Sequence, residues 1–140
     1  MFLQEEDYRV VIGEQALKVI SQVSAETCSN AEQHAMEEIA SYLRPKYDAG
    51  AIFNAVGQCR NSLIVMYACD MALYHMAASL PQKMGMEIRK ERYERAVKWL
   101  ESVQAGKVIP DLPTANTGEN GEEIGQTIVY HSQQQLKHNW

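Results

Sequence analysis

Three cysteines in 140 residues, Cys28, Cys59 and Cys69, form an odd set with no C-x-x-C pair. A disulfide-built scaffold is excluded, and free thiols in a reducing compartment are expected. Positive charge is also in short supply. Lys and Arg total 13 against 18 for Asp and Glu, a net charge of -5. General affinity for nucleic acid comes from neutralising phosphates, so this acidic balance argues against it. It remains compatible with a protein past which DNA slides without adhering. No basic stretch followed by an apolar run opens the chain, so no secretory signal is expected. The most apolar run, Leu63 to Leu80, is crossed by Asp70 and His75. That pattern suits a buried helix and not a membrane span. The expectation is a soluble protein made in the cytoplasm.

Catalytic signatures are missing too. There is no phosphate-cradling G-x-x-x-x-G-K-[ST] loop, no G-x-G-x-x-G and no G-x-S-x-G. His34, His75, His131 and His138 contain no i,i+4 pair and no H-E-x-x-H. Cys69 and His75, six apart, turn away from each other on a helix. Met66, Met71, Met76, Met84 and Met86 suit core packing better than copper binding. No catalytic residue, cofactor or metal site is expected.

What is present is helical periodicity. Residues 1–12 read as a short amphipathic lead-in, with Phe2, Leu3, Tyr8, Val10 and Val11 as apolar contacts. Ala16, Leu17, Ile20 and Val23 predict a helix over residues 13–24. Asn30 with Gln33 fits a capping box opening a second helix. That helix would bury Ala35, Met36, Ile39, Ala40 and Leu43 and stop before Pro45. A connector follows, with Tyr47, Ile52 and Phe53 packing on the core. The third helix, residues 61–79, is apolar nearly all round and belongs at the centre of a bundle. The fourth, residues 86–104, stripes Tyr93, Ala96, Val97, Leu100 and Val103. Its outer face offers the i,i+4 pairs Glu91 with Arg95 and Glu94 with Lys98. Gly106 sits at a helix-terminating position and Pro110 prevents resumption.

Residues 1–106 are therefore read as an all-α domain, a small bundle of about four helices. Residues 107–140 are read as an extended arm. Its "TIVYH" stretch, containing Ile128, Val129 and Tyr130, is the one credible β-strand. Leu136 and Trp140 add further apolar anchors. A lone strand gains order by pairing elsewhere, so the arm is expected to seek a surface outside its own domain.

Asp70 is the only formal charge between Arg60 and Lys83. A carboxylate in the central helix needs a cation, and Arg92, Arg89 and Arg44 are candidates, with the Tyr74 hydroxyl as a donor. A structural ion pair of Asp70 with Arg92 is expected. The "EIRKERYERAVK" stretch interleaves Glu87, Glu91 and Glu94 with its basic residues, which suits a salt-bridged contact face better than a DNA-reading helix.

Three pieces then stand in order. They are Y-L-x-x-basic-Y (Tyr42, Leu43, Lys46, Tyr47), A-C-D-h-A-x-Y (Ala68, Cys69, Asp70, Met71, Ala72, Tyr74), and R-Y-x-x-A-h-x-W-L ending in G-K (Arg92, Tyr93, Ala96, Val97, Trp99, Leu100, Gly106, Lys107). Over roughly residues 1–113 the chain resembles the small helical head-tail connector, or adaptor, proteins of tailed phages, and is similar to a family of Mu-like phages and prophages. The resemblance implies a non-enzymatic virion protein of the neck. It implies a homo-oligomeric ring, usually twelve-fold, between the portal protein and the next neck or tail component. DNA would pass through without specific binding. Contact candidates are Trp99 on the fourth helix and Ile128, Val129, Tyr130, Leu136 and Trp140 on the arm. The alternative is a small helical regulatory or DNA-binding protein, which the acidic charge disfavours. A helical enzyme or metal carrier is a further alternative, open to metal analysis.

Overall fold

The computed structural model describes residues 2–14, 17, 22–80 and 86–115. Among them run five α-helices: α1 (Glu5–Ile12), α2 (Ala25–Leu43), α3 (Ala49–Asn54), α4 (Ser62–Ala78) and α5 (Met86–Gln104), with a 3-10 turn at Gly57–Cys59. The chain is all-α, as expected.

Local chemistry sets the boundaries. The Gln4 amide donates to Asp7 Oδ2 at 2.7 Å, and Glu5, Glu6 and Asp7 place negative charge at the amide-rich end of α1. The expected lead-in is thus helical, because its acidic first turn and apolar contacts act together. Half of the helix expected over 13–24 (residues 15, 16 and 18–21) lies outside the described residues. α2 opens earlier than the Asn30 expectation: Ser24 Oγ accepts from the Thr27 amide at 3.2 Å. A serviceable cap six residues upstream wins, and Asn30 becomes an ordinary helical residue. α2 stops at Leu43, ahead of Pro45.

The expected connector contains a helix, α3, capped by Asp48 Oδ1 accepting from the Ala51 amide at 3.0 Å. α3 buries Ile52 and puts Phe53 edge-on to Phe2, ring centroids 5.1 Å apart. Asn61 Oδ1 then accepts from the Leu63 and Ile64 amides at 3.0 and 3.2 Å, opening α4.

α4 is the central element and packs against α1, α2 and α5. Ile64, Met71, Leu73 and Met76 are almost fully buried along it. Each such side chain contributes about 1.5–3 kcal/mol of burial free energy. α5 lies antiparallel to α4: Tyr67 faces Trp99 at 4.9 Å between ring centroids, and Tyr74 stacks on Tyr93 at 4.4 Å.

α5 ends in a paired-hydrogen-bond stop. The Gly106 amide donates to Val103 O at 3.0 Å and the Lys107 amide to Ser102 O at 2.9 Å, with Gly106 at φ 78°. Packing continues past this point. Leu112 is buried, Asn61 Nδ2 donates to Asp111 O at 3.2 Å, and the Asp48 amide donates to Pro113 O at 2.8 Å. Thr114 bridges Tyr47 in antiparallel fashion, and the Ala115 amide donates to Lys46 O at 3.1 Å. The candidate strand and Ile128, Val129, Tyr130, Leu136 and Trp140 lie outside the described residues.

Candidate functional site

Asp70 sits on α4 with its side chain 0% exposed. Arg92 Nε lies 3.6 Å from its Oδ1, and an Arg95 guanidinium nitrogen lies 3.7 Å from Oδ2. Neither carboxylate oxygen accepts a hydrogen bond among the described residues. Burial pushes its pKa up, and the charges of Arg92, Arg95 and Arg89 oppose that push without cancelling it. The pairing is therefore electrostatic contact and not a bidentate grip. Arg44, also considered for Asp70, instead holds Glu37 through two bonds of 2.7 and 2.8 Å. Tyr74 is spent on stacking with Tyr93. The expected Glu91–Arg95 and Glu94–Lys98 pairs do not form among the described residues. Arg95 turns inward to Asp70, and Glu94 meets Lys90 at 3.9 Å. Arg95 was readable as a partner from its spacing, one turn beyond Arg92 on the same face.

Two arginines tie α1 down. Arg60 joins Asp7 and donates to Phe2 O at 2.7 Å, its guanidinium 5.8 Å from the Phe2 ring centre. Arg92 donates to Val11 O at 3.2 Å, at the carbonyl-rich end of α1. Between these ties opens a groove of about 630 Å³ whose walls include Val10, Val11, Val65, Met66, Arg60 and Arg92. Val10 is 81% exposed at its edge, an unusual setting for a valine.

A second polar cluster joins three helices. Glu38 accepts from the Tyr93 hydroxyl and lies 3.3 Å from His75 Nε2. Burial, with that hydrogen bond, drives the Tyr93 pKa up. In the core, the Tyr8 hydroxyl donates to Glu32 Oε1 at 2.6 Å. Burial raises the Glu32 pKa, partly offset by this bond. Trp99, expected as a free contact residue, is half-buried against Tyr67.

Among the described residues, no group of three or more His, Cys, Asp or Glu is placed to hold a metal ion. No described helix is long and apolar enough to cross a membrane. The arrangement offers charge and apolar surface for contact.

A family model described as "Bacteriophage Mu, Gp36" matches residues 3–129. No curated protein and no solved structure matches the chain.

Proposed function

The chain belongs to the bacteriophage Mu Gp36 family, and from that premise we propose that it is a structural protein of the virion neck. In this reading it is a head-tail connector that assembles as a ring between the portal and tail components. The observation that carries the reading is where the bundle ends. Among the described residues the core runs on to Leu112, and Thr114 is bridged to Tyr47. Ile128, Val129, Tyr130, Leu136 and Trp140 follow in the sequence as an apolar series that we assign to contacts with other chains. A ring of identical chains needs two different patches on each. The α1 groove and the arm are suited to be those patches. A net charge of -5 also suits a bore through which DNA must pass without adhering.

The test is molar mass by light scattering, alone and with a portal protein, for the full chain and for a truncation after Ala115. Assembly of the full chain that the truncation abolishes supports the reading. A full chain that stays monomeric and ignores the portal overturns it. Retardation of duplex DNA in a gel at modest salt would favour a DNA-binding role instead.

A further inference from the structure

We propose that the groove beside α1 receives residues 119–130 of a neighbouring copy's arm, acidic part against the α5 arginines and apolar part against Val10, Val11, Val65 and Met66. The inference rests on the connector reading and names the contact that would close its ring.

The groove is cationic on its α5 side only; Glu6 and Asp7 line its α1 side, with Asp7 held by Arg60. Arg92 forms one of its walls, and Arg89 and Arg95 follow on the same side of α5. Arg92 and Arg95 share the single carboxylate of Asp70, and Arg89 has no ion-pair partner among the described residues. Arg95 keeps a side chain 55% exposed, so it can meet a second anion while holding the first. In a chain of net charge -5, this is a local cationic surplus.

The arm carries the complementary order. Residues 116–131 read "NTGENGEEIGQTIVYH": Glu119, Glu122 and Glu123 come first, then Ile124, Ile128, Val129 and Tyr130, with no Lys or Arg. The arm's length is on the scale of the bundle, as measured along its own α5. Ala115, the last described residue, is hydrogen-bonded to Lys46 O, and the Lys46 Nζ meets Gln104 O at 3.3 Å at the end of α5. Arg92 lies about 18 Å back along that helix. Residues 116–123, extended, span up to about 28 Å. Delivered to the next copy, the contact joins unlike patches, the head-to-tail arrangement that closes into a ring.

The test uses three full-length chains under whichever condition, alone or with a portal protein, the unaltered chain assembles. One carries Val10→Glu, which spoils the groove at an exposed position. One carries Glu122→Lys with Glu123→Lys, which spoils the arm outside the bundle. Thermal melts by circular dichroism should match the unaltered chain. Each variant alone is expected to lose the higher-mass species. Their equimolar mixture is expected to give a species of two chains, twice 15.8 kDa, and nothing larger, because one intact groove meets one intact arm. Variants that assemble like the unaltered chain overturn the inference and leave the connector reading standing. Variants that stay monomeric even when mixed overturn it in favour of an arm folded on its own bundle. An unaltered chain that never assembles overturns the connector reading and this inference together.

Discussion

Arg60 grips Asp7 through two parallel bonds, Nη1 to Oδ2 at 2.7 Å and Nη2 to Oδ1 at 3.1 Å, with both side chains only 13% exposed. Such a fork fixes geometry as well as charge. α1 is eight residues long, too short to persist alone, so its attachment depends on ties of this kind.

Arg60→Ala is therefore expected to cost about 3 kcal/mol, because it leaves the Asp7 carboxylate under cover without its cation. Asp7→Asn should cost less, since a guanidinium returns to water more readily. Denaturant unfolding measures both. Amide exchange across α1 should accelerate in Arg60→Ala more than across α4.

The two buried aspartates should respond to acid with opposite signs. Burial pushes the Asp7 pKa up, but the Arg60 bonds and the Gln4 amide hold it below the usual carboxylate value. Its contribution is present above that value and lost as pH falls through the folded pKa. The Asp70 pKa is raised, so its contribution is fullest below the usual carboxylate value and fades as pH rises through the folded pKa. Going from pH 6 to pH 3, the unaltered chain should lose stability relative to Asp7→Asn and gain relative to Asp70→Asn. Thermal melts of the three proteins across that range decide it, and parallel curves would refute the assignment.

Removing the Asp70 carboxylate should be milder than removing its cations. Arg92 and Arg95 side chains are 30% and 55% exposed and can turn to solvent, whereas Asp70 cannot. Replacing both arginines by Met should cost about 3–5 kcal/mol. Asp70→Asn should cost clearly less, and Asp70→Ala more than Asp70→Asn because it also opens a cavity. Chemical unfolding of the three variants gives the order.

Tyr93 separates hydroxyl from ring. Tyr93→Phe removes the bond to Glu38, itself partly open to water, and should cost about 1 kcal/mol. Tyr93→Ala also loses the stack on Tyr74 and should cost about 3 kcal/mol or more. Equal losses in the two variants would mean that the ring contributes little.

Gly106→Ala tests the end of α5. The backbone there sits at φ 78°, and an added Cβ would come within 3.3 Å of Lys46 Nζ. A cost of about 1 kcal/mol is expected. Amide exchange at Lys107 should rise with it.

The helices were legible wherever one face must be apolar. α4 was placed by its long apolar run, interrupted only by Asp70 and His75, α5 by its stripe, and the stop of α2 by Pro45. Their starts were less legible, because several polar residues can cap: Asn30 and Ser24 both qualify in sequence, and the earlier start brings Cys28 onto the core. Asp70 stood out because a lone charge in an apolar helix has no innocent explanation. Its second partner, Arg95, was readable from its spacing to Arg92, although Glu91 offered it an equally good local pair. The Arg60–Asp7 tie spans 53 residues and leaves no periodic trace. The groove arises only when α1, the 3-10 turn, α4 and α5 meet, so no single segment announces it.

The last described residues run back across the corner between α2 and α3, instead of leaving straight off α5. A tug on the arm is therefore met first by the Lys46–Ala115 and Asp48–Pro113 bonds and by Asn61 at the head of α4. The load enters three helices at once, and the final turn of α5 is spared from unravelling.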